Sequence, residues 1–76
     1  MPHVIVKMRA GRGQSERKVL AEEITRAVTE TLGCGDDAVS VSIEDVSPED
    51  WAEKVYRPEI AGKPEQLYKK PGYKPF

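Results

Sequence analysis

The 76-residue chain contains one cysteine, one histidine and one tryptophan, and each scarcity excludes something. Cys34 cannot form an internal disulfide, and with only His3 beside it no zinc ligand set exists, so no zinc site is expected. Such cysteine usage suits a reducing cytoplasm. A dominant charge is also missing: 12 Lys and Arg stand against 13 Asp and Glu, and they are interspersed rather than blocked. That excludes the basic footprint of a nucleic-acid binder and the polybasic anchor of a membrane-surface protein. No apolar run reaches the length of a membrane-spanning helix or a signal-peptide core, and position 2 is not the glycine that myristoylation requires. Neither nucleic acid nor a membrane is an expected partner.

The chain is short as well. Seventy-six residues make one domain, 1–76, near the lower limit at which a single core is sufficient without partners. Association is therefore expected before any motif is read.

What is present is a clear alternation of periods. From His3 to Met8, Val4, Val6 and Met8 fall on one face and His3, Ile5 and Lys7 on the other, which predicts a strand. Ala10-Gly11-Arg12-Gly13 breaks it with a loop that carries Arg12. Val19, Leu20, Ile24, Ala27, Val28 and Leu32 then recur at helical spacing, predicting a helix over 14–32 with Ser15 as its cap and Gly33 as its stop. Val39, Val41 and Ile43 alternate with polar residues and give a second strand to Asp45.

Strand, long helix, strand is a βαβ unit of the α/β class, with parallel strands and the helix over one face. Two strands leave both edges open, so dimerisation is expected to complete the sheet. Ser47-Pro48-Glu49-Asp50 reads as a further helix start, with the helix ending before Pro58, and a last helical turn is expected over 64–69. Residues 65–76, rich in proline, lysine and aromatics, read as an arm over a neighbouring subunit or a free end.

The chemistry starts at Pro2. Removal of Met1 would leave a secondary amine at the head of the first strand, and α-amino groups titrate at about 7.7–8.0, lower still in an apolar pocket beside a cation. A base near neutrality is suited to proton transfer at carbon. Arg12 follows the first strand and Trp51 the second, so uniting them with Pro2 calls for residues from neighbouring subunits. Taken singly, Arg12 also reads as a solvated loop cation, Trp51 as core or interface, His3 as a packed residue and Cys34 as an exposed thiol.

Together, Pro2, the Ala10-Gly11-Arg12 turn, the helix segment Leu20-Ala21-Glu22-Glu23-Ile24-Thr25-Arg26-Ala27-Val28, the strand Val39-Ser40-Val41-Ser42-Ile43 and Trp51 resemble the 4-oxalocrotonate tautomerase family. Lys69-Lys70-Pro71-Gly72-Tyr73 resembles a branch of short bacterial tautomerases with an extended C-terminal tail. The resemblance implies enol–keto tautomerisation or double-bond isomerisation of 2-hydroxy and 2-oxo acids without a cofactor, in a homodimer or trimer of dimers with shared sites. It assigns Pro2 as general base, Arg12 as carboxylate anchor and Trp51 as the apolar wall that lowers the proline's pKa. His3 and Ser40 are further candidates for the pocket.

Ser40 stands where the name-giving enzyme of the family has a second arginine. A diacid substrate is thereby in doubt, and a monoacid enol such as an aryl enolpyruvate or 2-hydroxypenta-2,4-dienoate fits better, unless Arg9, Lys7 or Arg57 reaches the site. Within the same superfamily a dehalogenase or hydratase would use protonated Pro2 as an acid. A catalytically silent oligomeric interaction module would keep only the scaffold.

Overall fold

A computed structural model describes residues 1–75. Strand β1 (His3–Arg9), helix α1 (Gln14–Leu32) and strand β2 (Ser40–Val46) follow in order, and β1 pairs with β2 in a two-stranded parallel sheet. The expected βαβ unit is therefore present. Its helix has the predicted bounds; β1 runs one residue beyond Met8, and β2 starts one residue after Val39 and ends one residue after Asp45. Residues 1–45 form one unit and the chain from Val46 onward a second.

The ends of α1 follow from its flanking glycines. Gly33 has φ 72° and donates its N–H to Thr29 O at 2.9 Å, the left-handed stop that a residue without Cβ adopts at least cost. At the other end the cap is Gly13 rather than the expected Ser15. Glu16 reaches back to accept the Gly13 N–H at 3.0 Å, placing Ser15 inside the first turn. Between them, Arg17, Ala21, Ile24, Thr25, Val28 and Thr29 form a half-buried stripe at three- and four-residue spacing. Thr25 returns its hydroxyl hydrogen to Ala21 O at 2.8 Å, which satisfies that polar group within the helix.

That stripe covers one face of the sheet. Gln14, Arg17, Lys18 and Ala21 line a shallow depression with Val41 and Ile43, and Arg17 pairs with Asp45 at the far end of β2. By alternation, His3, Ile5 and Lys7 of β1 and Ser40, Ser42 and Glu44 of β2 lie on the other face. Ile5 there is 53% exposed. A 3₁₀ turn at Asp36–Ala38 leads into β2.

In the second unit Ser47 precedes α2 (Pro48–Asp50), as its position before Pro48 indicated. Its hydroxyl donates to Asp50 Oδ2 at 3.0 Å, and Lys54 Nζ donates to the same oxygen at 3.3 Å. The helix does not end before Pro58. It continues as a π-helix over Trp51–Ala61 with Pro58 inside it. Proline breaks an α-helix by lacking an N–H and by pressing its ring on the preceding turn, and the wider i→i+5 register makes room for that ring. Trp51, Ala52, Val55, Tyr56, Glu59 and Ile60 share its covered side, with Val55 the only buried apolar residue among those described, at 5% exposure. The final turn is a 3₁₀ turn at Pro64–Gln66, shorter than expected. Phe76, the end of the expected arm, lies outside the described residues.

Two consequences are measurable. A Cβ at Gly62 would stand 2.8 Å from both Arg57 O and Pro58 O, backbone atoms that cannot swing aside. Gly62→Ala should therefore destabilise the fold by about 1–3 kcal/mol, read as a fall of several degrees in thermal midpoint. The second concerns Asp50, whose carboxyl is held below its ordinary value of 3.8 by the Ser47 hydrogen bond first, then by the hydrogen bond and charge of Lys54. A depressed carboxylate pKa adds stability that is present above 3.8 and lost as pH falls through the folded-state value. The difference in thermal midpoint between wild type and Asp50→Asn should thus be constant at neutral pH and shrink on acidification below 3.8.

Candidate active site

The sheet pairing begins at Pro2. Ser40 N–H donates to Pro2 O at 3.2 Å, so the first residue of β2 is anchored beside the residue that leads into β1. Ser40 also holds His3: its Oγ lies 2.6 Å from His3 Nδ1, a side-chain bond across the two strands. Pro2, His3 and Ser40 thus converge at the N-terminal end of the parallel sheet. Pro2 is half-buried, His3 and Ser40 are exposed, and Met1 protrudes fully into solvent.

Seryl hydroxyls donate and accept, so Ser40 fits either ring tautomer. With Ser40 Oγ–H donating to Nδ1, His3 Nε2 carries the proton and can donate to an anionic oxygen. With the roles reversed, neutral His3 presents Nε2 as an acceptor.

Arg12 lies in the loop between β1 and α1, just after Gly11, whose φ of 125° is open to glycine and strained for other residues. Its side chain is exposed, and among the described residues no carboxylate pairs with it. The seven residues of β1 separate it from Pro2 by about 23 Å of strand. One copy of this unit therefore does not bring Pro2 and Arg12 onto the same few-carbon acid. Arg9 ends β1 and shares Arg12's end of the sheet. Arg57, another candidate cation, is held by Glu53 at 2.8 Å.

Trp51 belongs to the second unit, as the first residue of the π-helix, and is half-buried. Its indole Nε1–H donates to the Tyr73 hydroxyl at 2.8 Å. Tyr73 also lies with its ring centroid 5.7 Å from that of Tyr56, tilted by 57°, and its carbonyl oxygen is 3.4 Å from the Tyr56 hydroxyl. Tyr73 was read from the sequence only as part of the tail motif, not as a site residue. It stands 22 residues from Trp51 with no periodic relation to it, and the Pro71-Gly72 turn just before it is the sole sequence hint that the chain reverses. Among the described residues no group of three or more His, Cys, Asp and Glu is placed to hold a metal ion, and no helix is long and apolar enough to cross a membrane.

Comparison with known proteins bears on this geometry. The family profile described as "Tautomerase enzyme" matches residues 2–58, from the candidate base through Trp51 to Pro58. A "Probable tautomerase" of Xylella fastidiosa (strain 9a5c) is 44% identical over 73 residues, covering 96% of this chain and 89% of that protein. "Tautomerase PptA" of Pectobacterium carotovorum subsp. carotovorum (strain PC1) is 36% identical over 74 residues, covering 96% and 97%. Among solved structures, TomN, a 4-oxalocrotonate tautomerase homologue in the tomaymycin biosynthetic pathway, superposes with a TM-score of 0.64 at 40% identity over 66% of this chain and 77% of its own. YwhB, a homologue of 4-oxalocrotonate tautomerase, gives 0.65 at 35% identity over 71% and 88%. With its βαβ fold, a profile match spanning most of its length and relatives matched nearly end to end, the chain belongs to the tautomerase family.

Proposed function

We propose that the protein is a cofactor-independent tautomerase that interconverts enol and keto forms of 2-hydroxy and 2-oxo monoacids, with Pro2 as general base once Met1 is removed. The observation that carries this reading is the seating of Pro2: half-buried, fixed through its carbonyl to Ser40 N–H, and preceded by a methionine wholly exposed to an aminopeptidase. With Met1 attached, the Pro2 nitrogen is an amide and has no basicity. With Met1 gone, it is a secondary amine whose lone pair is available near neutral pH.

In the forward direction the amine takes the proton from the enol oxygen of the substrate, electron density moves toward the dienolate carbon, and the same nitrogen returns the proton there. No group is consumed and no redox change occurs. Arg12 offers a planar fork of donors to the substrate carboxylate and to charge drawn toward it. Trp51 contributes the apolar wall that excludes water and disfavours the protonated amine. His3, held by Ser40, lies beside Pro2 and supplies one neutral polar contact where a second arginine would favour a diacid.

The roughly 23 Å of strand between Pro2 and Arg12 supports a reading in which the two come from different copies around one substrate. The sheet supports such an assembly, since both strands are edges and Ile5 stands exposed on the face that α1 leaves uncovered. The working form is therefore a dimer or a trimer of dimers of one 76-residue domain, acting in the cytoplasm.

Three outcomes are expected. In protein whose intact mass shows loss of Met1, Pro2→Ala should lower kcat for enol-to-keto conversion by about 10²–10⁴-fold, the usual worth of a positioned base. Arg12→Ala should lower kcat/KM by about 10²–10³-fold, as when a donor to developing negative charge is removed. A processed protein in which neither substitution changes the rate is not using this site. Ile5→Glu should weaken assembly by about ten- to a hundredfold in sedimentation experiments, because burying an isoleucine contributes about 1.5–3 kcal/mol and a carboxylate there would be desolvated unpaired. Unaltered assembly would mean that the open face is not the contact.

A further inference from the structure

The segment after the 3₁₀ turn carries two tyrosines with opposite fates. Tyr68 is 99% exposed, whereas Tyr73, 46% exposed, is held by a hydrogen bond from the Trp51 indole, a tilted ring contact with Tyr56 and the approach of the Tyr56 hydroxyl to its carbonyl. Here Pro71-Gly72 turns the chain, and the residue that follows is fastened to the first and second turns of the π-helix.

The fastening acts on the indole in particular. A tryptophan side chain has two rotatable bonds and one polar atom, Nε1–H, and the direction of that N–H fixes how the ring plane is turned. Tyr73 supplies the acceptor at 2.8 Å, and Tyr56 steadies the acceptor's own ring. The C-terminal segment therefore sets the presentation of the residue read above as the pocket wall.

We propose that Tyr73 is a positioning residue for Trp51, and that through it the C-terminal segment sets substrate preference in favour of enol acids carrying an aromatic substituent. The proposal rests on Trp51 being the wall of the substrate pocket. A flat substituent gains from a ring held in one plane, since stacking depends on orientation, whereas a short alkenyl chain meets the same apolar surface at any ring angle.

The test compares wild type, Tyr73→Phe and Trp51→Phe, with phenylenolpyruvate and 2-hydroxypenta-2,4-dienoate as substrates. Tyr73→Phe keeps the ring contact and removes only the acceptor. Its single tryptophan should show altered fluorescence emission, and kcat/KM for the aryl substrate should fall about fivefold, mainly through KM, while that for the dienoate changes by less than about twofold. An unchanged ratio of the two kcat/KM values in Tyr73→Phe, with or without an emission change, overturns the proposal. If Trp51→Phe alters the ratio in that case, the pocket-wall reading stands without the strap; if Trp51→Phe leaves it unchanged too, that reading falls as well.

Discussion

One backbone hydrogen bond, from Ser40 N–H to Pro2 O, determines what the N-terminal end of the sheet can do. It sets where β2 begins against β1, and in doing so places the Ser40 hydroxyl within reach of the His3 ring. Shifting the pairing by one residue would turn Ser40 to the helix-covered face and bring Val39 or Val41 to the proline's neighbourhood. The covalent βαβ crossover alone permits such slips. What opposes them is the apolar set Val4, Val6, Met8, Val41 and Ile43, which must face α1, together with the pairing of Arg17 with Asp45 at the other end of the strand.

The same sheet leaves apolar surface uncovered in a single copy. Among the described residues one apolar side chain is buried, and it belongs to the second unit rather than to the sheet. The first unit has a half-buried helix stripe on one face, an exposed isoleucine on the other and two unpaired edges. A two-stranded sheet is marginal by itself in water. In the function proposed above, a second copy would serve both stability and the union of Pro2 with Arg12, because the length of β1 holds those residues apart within one copy.

Much of the first unit was legible in the sequence for identifiable reasons. Helix α1 spans 19 residues with a glycine at each end, so both boundaries can be read; the capping residue was misjudged, because Glu16 reaching back to Gly13 outcompetes the serine beside it, and of the apolar set only Ile24 and Val28 lie on the half-buried stripe, while Val19, Leu20, Ala27 and Leu32 are exposed. Pro2, Arg12 and Trp51 are visible as residue types at element ends, but their distances are not, since spacing along a chain says nothing of register between strands. Pro58 misled because proline ordinarily ends an α-helix, and the π-helix that contains it here has no simple sequence signature. The Trp51–Tyr73 bond was invisible for a related reason: it joins a helix to a tail across 22 residues of irregular chain.

The central claim is that an unblocked Pro2 amine acts as a base near neutral pH. The most direct test is to label that nitrogen with ¹⁵N in protein shown by mass to lack Met1, titrate it by NMR, and overlay the curve on the pH dependence of kcat/KM. The expected pKa lies below the ordinary α-amino range of about 7.7–8.0 and coincides with the limb on which activity rises with pH. A nitrogen that titrates above that range, with activity confined to its protonated form, would contradict the base and make Pro2 an acid.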